Sequence, residues 1–353
     1  MRLKVVISLL LCGIVFFACF LTIFGCAQVA SEIGRITGTI LAADGVTAIV
    51  GATVYNKADS SKSTTTNGSG QFTLEGDWIV AGTYTLVANK GSFQLEFSAT
   101  VEANSSTTAL DPRLVSPLDP RASIPDLGVV EGSFDQIQDI ISALGYSFVT
   151  LEATDFDNYS YLSTFEAIFI NCGDSVTLTS SRNTNLQNFV EVAGGSLYAS
   201  DYAASHIEAI WPTAITWYGG SVSAAKVGNS QTLEATIQDS ILRTVLGKST
   251  AEVYYNLSEW VVISSEGTGT TVLLKGSPNV ATVFSVGFAS LRSSDLSVSA
   301  IAGTLEAVPL AVKFQPGGTT MGTVIYTTFH NEAQEEEVTA DVRKILQDFI
   351  FSL

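Results

Sequence analysis

The sequence predicts a multidomain chain, an N-terminal all-β sandwich followed by an α/β domain with a strand-rich insertion. Three observations carry that prediction. From Gly34 to Leu110, apolar residues alternate with polar ones between glycine-rich turns. Beyond Pro125, short apolar strands alternate with helical stripes. Residues 111–125 between them contain four prolines and no periodicity, the texture of a stiff linker.

The chain opens with Arg2 and Lys4 ahead of an apolar run from Val5 to Gly25, which closes on Leu21-Thr22-Ile23-Phe24-Gly25-Cys26. This pattern resembles a bacterial lipoprotein signal peptide, with Ile23 and Gly25 fitting and Phe24 bulkier than usual. The resemblance implies that residues 1–25 are removed and that Cys26 is lipidated. Residues 26–33 would then be a tether to the membrane. The alternative is an uncleaved anchor, because the run spans about the ~20 residues that cross a bilayer. Either way the positive flank stays inside and Ala27 onward lies outside the cytoplasm. The implied address is the bacterial cell envelope. Ala27 after the cysteine resembles the outer-membrane sorting pattern of a two-membrane cell.

Without Arg2 and Lys4, 15 basic residues face 34 acidic ones, a net charge near −19. Such a surface repels phosphate backbones and no Lys/Arg cluster occurs, so nucleic acid is not an expected partner. Once Cys26 is acylated, Cys172 is the one thiol left and no internal disulfide can form. Roughly 325 exported residues exceed one small core and suggest two domains.

Within residues 34–110, Ile36 and Ile40 flank Gly38, and Ala52 and Val54 follow the Asp44-Gly45 turn. Phe72 and Leu74 follow Asn67-Gly68-Ser69-Gly70; Tyr84, Leu86 and Ala88 follow Gly82; Phe93, Leu95 and Phe97 follow Gly91. Period-two runs between turns read as a small antiparallel sandwich. Their order resembles the carboxypeptidase regulatory-like domain, which implies a transthyretin-like (Ig-like) sandwich without catalytic residues.

Residues 126–353 begin with a strand at Leu127–Val130. Ser133 and Gln136 look like a capping box ahead of the stripe Phe134, Ile137, Ile140, Ile141 and Leu144. Strands follow at Tyr146–Leu151, Ala167–Asn171 and Ser196–Ala199, with helices around Leu186–Val190 and Tyr202–Ile210. A last strand, Gly322–Phe329, and a last helix, Ala340–Phe351, close the pattern. Residues 215–320 read as a strand-rich insertion with a short helix near Ile237–Leu246.

In an open α/β sheet, function sits at the carboxyl ends of the strands. Three segments fall there: Asn171-Cys172-Gly173-Asp174, Ala199-Ser200-Asp201-Tyr202-Ala203 and Phe329-His330-Asn331-Glu332. Together they resemble the flavodoxin-like class I glutamine amidotransferase fold, which pairs a Cys in a Gly-x-Cys-x-Gly elbow with His and Glu two residues apart. The resemblance implies His330 and Glu332 as the pair. It breaks at the nucleophile: Asp201 stands where Cys belongs, and Ala replaces both glycines. A carboxylate is a poor acyl acceptor, and without glycines a strained elbow is not expected. Ser200 would serve if the register shifts by one. Ser200 and Asp201 also suit a helix N-cap, and Asp174 a turn. His206 has no partner nearby in sequence and reads as structural. No His/Cys cluster has zinc spacing, and no cofactor motif occurs.

The leading expectation is therefore a non-catalytic, lipid-anchored binding or scaffolding protein, a pseudoenzyme facing an envelope protein or glycan. One alternative is an envelope hydrolase of amide, peptide or glycan bonds using Ser200 or Asp201 with His330 and Glu332. Another is a carbohydrate-binding surface protein, for which Trp78 or Tyr84 would have to be exposed, although Tyr84 alternates with Leu86 and suits the core.

Overall fold

A computed structural model describes residues 34–103, 107–108, 127–177, 179–281, 303–331 and 339–353. Residues 1–33, with Cys26 and the expected signal peptide, and the whole linker, 111–125, lie outside the described residues. Among the described residues no helix is long and apolar enough to cross a membrane.

The first domain is the expected sandwich. One sheet has the order β4-β1-β7, from β1 (Gly34–Thr39), β4 (Gln71–Gly76) and β7 (Thr107–Thr108). The other has the order β3-β2-β5-β6, from β2 (Thr53–Asn56), β3 (Asp59–Thr65), β5 (Gly82–Lys90) and β6 (Phe93–Val101). Alternation sends Ile36, Val54, Phe72, Leu74 and Leu86 inward, all buried. Gly70 turns the chain into β4 at a φ of +70°, where a Cβ would lie 2.8 Å from the Ile40 carbonyl oxygen.

The second domain is built on a nine-stranded sheet. Its parallel part runs β9-β8-β10-β11-β22, from β8 (Leu127–Val130), β9 (Val149–Thr150), β10 (Ala167–Ile170), β11 (Ser196–Ser200) and β22 (Val324–Thr327). Numbered within the domain, that is the flavodoxin order 2-1-3-4-5. Side chains alternate between two cores. Val129, Phe169, Tyr198 and Ile325 pack under helices α1 (Ile137–Ala143) and α7 (Ala340–Ser352). Val130, Ile168, Leu197 and Val324 pack under α3 (Ser180–Glu191) and α4 (Ala204–Ile210). Coverage on both faces explains why these strands read as unbroken apolar runs. A single turn, α2 (Tyr159–Leu162), precedes β10.

The insertion continues the sheet antiparallel from β22 through β21 (Val308–Phe314), β18 (Thr271–Gly276), β14 (Gln231–Ile237) and β15 (Thr250–Tyr255). Helix α6 (Ser240–Leu246) follows β14, and Asp239 accepts the Leu242 N–H as its cap. Smaller pieces decorate it: β12 (Ile215–Trp217) pairs with β17 (Ile263–Glu266), and α5 (Val222–Ala225) precedes a second small sheet. That sheet runs β16-β13-β19-β20, from β13 (Lys226–Gly228), β16 (Trp260–Val261), β19 (Asn279–Val280) and β20 (Gly303–Thr304).

Two local expectations change. The Ser133–Gln136 capping box does not form: α1 starts at Ile137 and Gln136 makes no side-chain cap bond. Asp135 is instead drawn into the interior, pulling the preceding turn out of helical register. The strand expected over Tyr146–Leu151 shortens to Val149–Thr150, because it lies at the sheet edge with β8 as its single partner.

The sandwich is docked on the α/β domain rather than held apart from it. The tip of the β5–β6 hairpin lies against α7. There the Lys90 ammonium pairs with the Asp348 carboxylate, both nearly buried. The Ser92 N–H donates to the Leu353 carbonyl at 2.7 Å. Phe93 meets Tyr146 and Phe351 edge-on, each with ring centroids 5.1 Å away. Sandwich residues and the α1/α7 face thus share one apolar core.

Candidate functional site

The carboxyl ends of β8, β10, β11 and β22 converge, as strand topology requires. β11 ends at Ser200, and Asp201 then turns the chain at a φ of +40° into a short 3₁₀ turn that leads into α4. This is an elbow, contrary to the expectation from its missing glycines. Aspartate is one of the few residues that tolerate left-handed backbone. The flanking Ala199 and Ala203 are small enough to be fully buried on either side. The Tyr326 hydroxyl donates to the Asp201 carbonyl at 3.0 Å and clamps the turn.

Neighbouring Ser200 and Asp201 face different groups. Ser200 is fully buried; its hydroxyl donates to Asp135 Oδ2 and accepts the Cys172 N–H at 2.9 Å. The Asp201 carboxylate accepts the Val261 N–H on Oδ1 at 2.7 Å, and Oδ2 accepts from Cys172 Sγ at 3.4 Å. Oδ2 also lies 4.0 Å from His330 Nε2, beyond hydrogen-bond length. The elbow carboxylate therefore faces both the histidine and the thiol. Glu332 lies outside the described residues, so the expected His–Glu pairing is not seen.

Cys172, which follows β10 rather than standing in the elbow, is brought into this cluster. Its Sγ, an Asp201 oxygen and a His330 nitrogen lie within 4.8 Å of one another. They line a small cleft with Phe134, Tyr202, Tyr255 and Trp260. The insertion supplies its roof: Tyr255 and Trp260 stack at 4.0 Å, and Val261 holds the carboxylate. Lys226 sits over the Tyr202 ring, 3.9 Å from its centroid.

Asp135 was overlooked in the sequence because it falls in the expected first helical turn. It is fully buried, and Asn331 N–H donates to its Oδ1 at 3.1 Å. A proline at position 331 would have no N–H to give. Gln136 and Asn331 also exchange bonds: Gln136 N–H donates to the Asn331 carbonyl at 2.9 Å, and the Asn331 amide donates to the Gln136 carbonyl at 2.7 Å. Asp135 thus ties the loops after β8, β11 and β22 together. His206 has a partner after all: its Nε2 lies 3.2 Å from both carboxylate oxygens of Asp174.

Burial governs the ionisation of the cluster. It pushes Asp201 up to about 7 against the pull of the Val261 N–H, and Asp135 likewise to about 7. The Cys172 thiol is raised far above its ordinary value, by burial first and then by the Asp201 charge. Burial lowers His330 to about 4, which keeps the imidazole neutral. A protonated thiol is a weak nucleophile, and the serine hydroxyl is engaged elsewhere.

On the sandwich, Trp78 lies edge-on to Tyr84, with ring centroids 5.6 Å apart. Trp78 lines a surface groove with Arg35, Lys62, Glu75 and Asp77. The Tyr84 hydroxyl is spent on backbone, accepting the Val80 N–H at 2.7 Å.

No curated protein matches the chain. A protein described as ThuA-like from Bacteroides uniformis is 12% identical, with a TM-score of 0.42 over 67% of this chain and 94% of that one. A second ThuA-like protein, from Parabacteroides merdae, is 13% identical, with a TM-score of 0.38 over 64% and 88%. A protein from Thermoplasma acidophilum, described as one of the subunits of a GMP synthase, is 11% identical, with a TM-score of 0.40 over 66% and 96%. Likenesses this distant carry no functional argument. Residues 35–115 match the carboxypeptidase regulatory-like domain family. The chain joins a carboxypeptidase regulatory-like domain to an α/β domain of flavodoxin strand order.

Proposed function

We propose that this is a lipid-anchored cell-envelope protein whose amidotransferase-like domain binds or scaffolds rather than catalyses. The observation that carries the reading is the elbow itself. Its apex is the Asp201 carboxylate, held by the Val261 N–H and the Cys172 thiol. Ser200, the one hydroxyl that could replace the missing cysteine, is turned to Asp135 and the Cys172 backbone. Acyl transfer needs an accessible, activated nucleophile; the Ser200 hydroxyl is fully buried against Asp135, and burial and the Asp201 charge hold the Cys172 thiol protonated. The lipid anchor rests on the sequence ending at Cys26 and on Arg2 and Lys4 ahead of it.

The test is active-site labelling of the full chain with fluorophosphonate and iodoacetamide probes. Wild type and Ser200→Ala are expected to label equally with the first, and wild type and Cys172→Ser equally with the second under native conditions. Labelling lost in either variant overturns the non-catalytic reading. For the anchor, mass analysis of the mature N-terminus is expected to find diacylglycerol on Cys26, and an intact Met1 terminus refutes it.

The hydrolase reading rests on one observation, the 4.0 Å approach of His330 Nε2 to the elbow carboxylate. It requires envelope peptides, amides or glycans to be cleaved by wild type and not by His330→Gln.

A further inference from the structure

The cleft holds a buried imidazole with no hydrogen bond among the described residues. Among the described residues His330 Nδ1 has no partner, and Nε2 is 4.0 Å from Asp201 Oδ2, although nine-tenths of the side chain is buried. Leaving such a group unsatisfied is costly, so the arrangement calls for a ligand. The neighbours supply the rest. Asp201 turns one oxygen, Oδ2, toward both Cys172 Sγ at 3.4 Å and His330 Nε2 at 4.0 Å. Its other oxygen is fixed by the Val261 N–H, the kind of outer hydrogen bond that orients a metal-binding carboxylate.

We propose that Cys172, Asp201 and His330 form a three-residue binding site for Zn²⁺, with the fourth position open to the cleft. Zinc takes sulfur, nitrogen and oxygen donors together at about 2.0–2.3 Å, which sets neighbouring donors of a tetrahedral site about 3.3–3.7 Å apart. The three donors already lie within 4.8 Å of one another, so a shift of well under an ångström per side chain seats the ion. Charge also balances: one thiolate and one carboxylate neutralise the dication in a site with little water, and the thiol proton leaves to solvent on binding. The fourth position faces Phe134, Tyr202 and Trp260 and takes water or an anionic group of a bound ligand. Zinc spacing in the sequence could not show this, because each ligand comes from a different strand end. The inference goes beyond the binding-and-scaffold reading and does not depend on it.

The experiment uses the full chain purified in mild detergent, stripped with chelator and titrated with Co²⁺ as a spectroscopic stand-in, then with Zn²⁺. Wild type is expected to bind one equivalent with visible bands of tetrahedral Co²⁺ and a thiolate-to-cobalt charge-transfer band, and Zn²⁺ to displace it. Cys172→Ser is expected to abolish the charge-transfer band; Asp201→Asn and His330→Gln are expected to weaken binding at least tenfold. No stoichiometric binding by wild type overturns the proposal. So does a charge-transfer band that survives Cys172→Ser, which would place the metal on Cys12, Cys19 or Cys26. Should a variant fail to fold, X-ray absorption of the Zn²⁺-loaded wild type decides. One sulfur among nitrogen and oxygen neighbours is expected, and a shell with no sulfur or several refutes the site.

Discussion

Ser200 and Asp201 are adjacent in sequence, yet each is committed to a different part of the molecule. The serine hydroxyl bridges Asp135 and the Cys172 N–H, so its role is to satisfy two buried polar groups. Ser200→Ala is therefore expected to cost about 1–3 kcal/mol of stability, the penalty for leaving buried partners unpaired. Urea denaturation measures it, and a loss within a few tenths of a kcal/mol would show that the bridge is dispensable. The candidate site was only partly legible beforehand. Asp201 and His330 were found because strand order alone places them at neighbouring strand ends. Cys172 was placed at a strand end but not against Asp201, and Asp135 was not found, because these contacts close over 29 residues to Asp201 and 65 residues to Ser200, separations at which no local pattern exists.

Among the elements, the β5–β6 hairpin and α7 hold the most consequential contact, the buried pair Lys90 and Asp348. Burial raises Asp348 above the ordinary carboxylate range in spite of the attraction of Lys90. The native carboxyl then keeps its proton in a pH window where the unfolded chain, with a value of about 3.9, has released it. Stability from this residue is thus highest at low pH and declines as pH rises through the native value. The double change Lys90→Met with Asp348→Leu is expected to remove that decline and to be neutral or stabilising by about 1–4 kcal/mol. Asp348→Leu alone, which leaves a buried ammonium, is expected to cost about 3–5 kcal/mol. Denaturation at about pH 4 and pH 7 separates these outcomes. A steeper pH dependence in the double variant would refute the assignment.

The strands were legible where both of their faces are buried, as in β10 and β11, because a continuous apolar run between turns has few other uses. The insertion was legible as strands extending or decorating the sheet, but not in their order, since β14, β18 and β21 find their places by long-range pairing. The α1 start was misplaced because tertiary burial of Asp135 overrides a local capping preference.

At the scale of the whole molecule, the sandwich and the α/β domain share one apolar core, which predicts a single cooperative unfolding transition. Trp78 reports on the sandwich, and Trp211, Trp217 and Trp260 report on the larger domain. Fluorescence of Trp78→Phe and of a variant keeping Trp78 alone is expected to give coincident midpoints. Phe93→Ala, which removes the ring between Tyr146 and Phe351, is expected to cost about 3–5 kcal/mol and to split the two midpoints. Separate midpoints in the parent chain would mean that the docking contributes little.

The bond from the Val261 N–H to Asp201 joins the cleft's roof to its floor through one backbone proton. The roof cannot lift without exposing that proton to solvent. Its exchange with deuterium is therefore expected to report how far the cleft opens, so a single amide serves as a probe of access to the buried carboxylate.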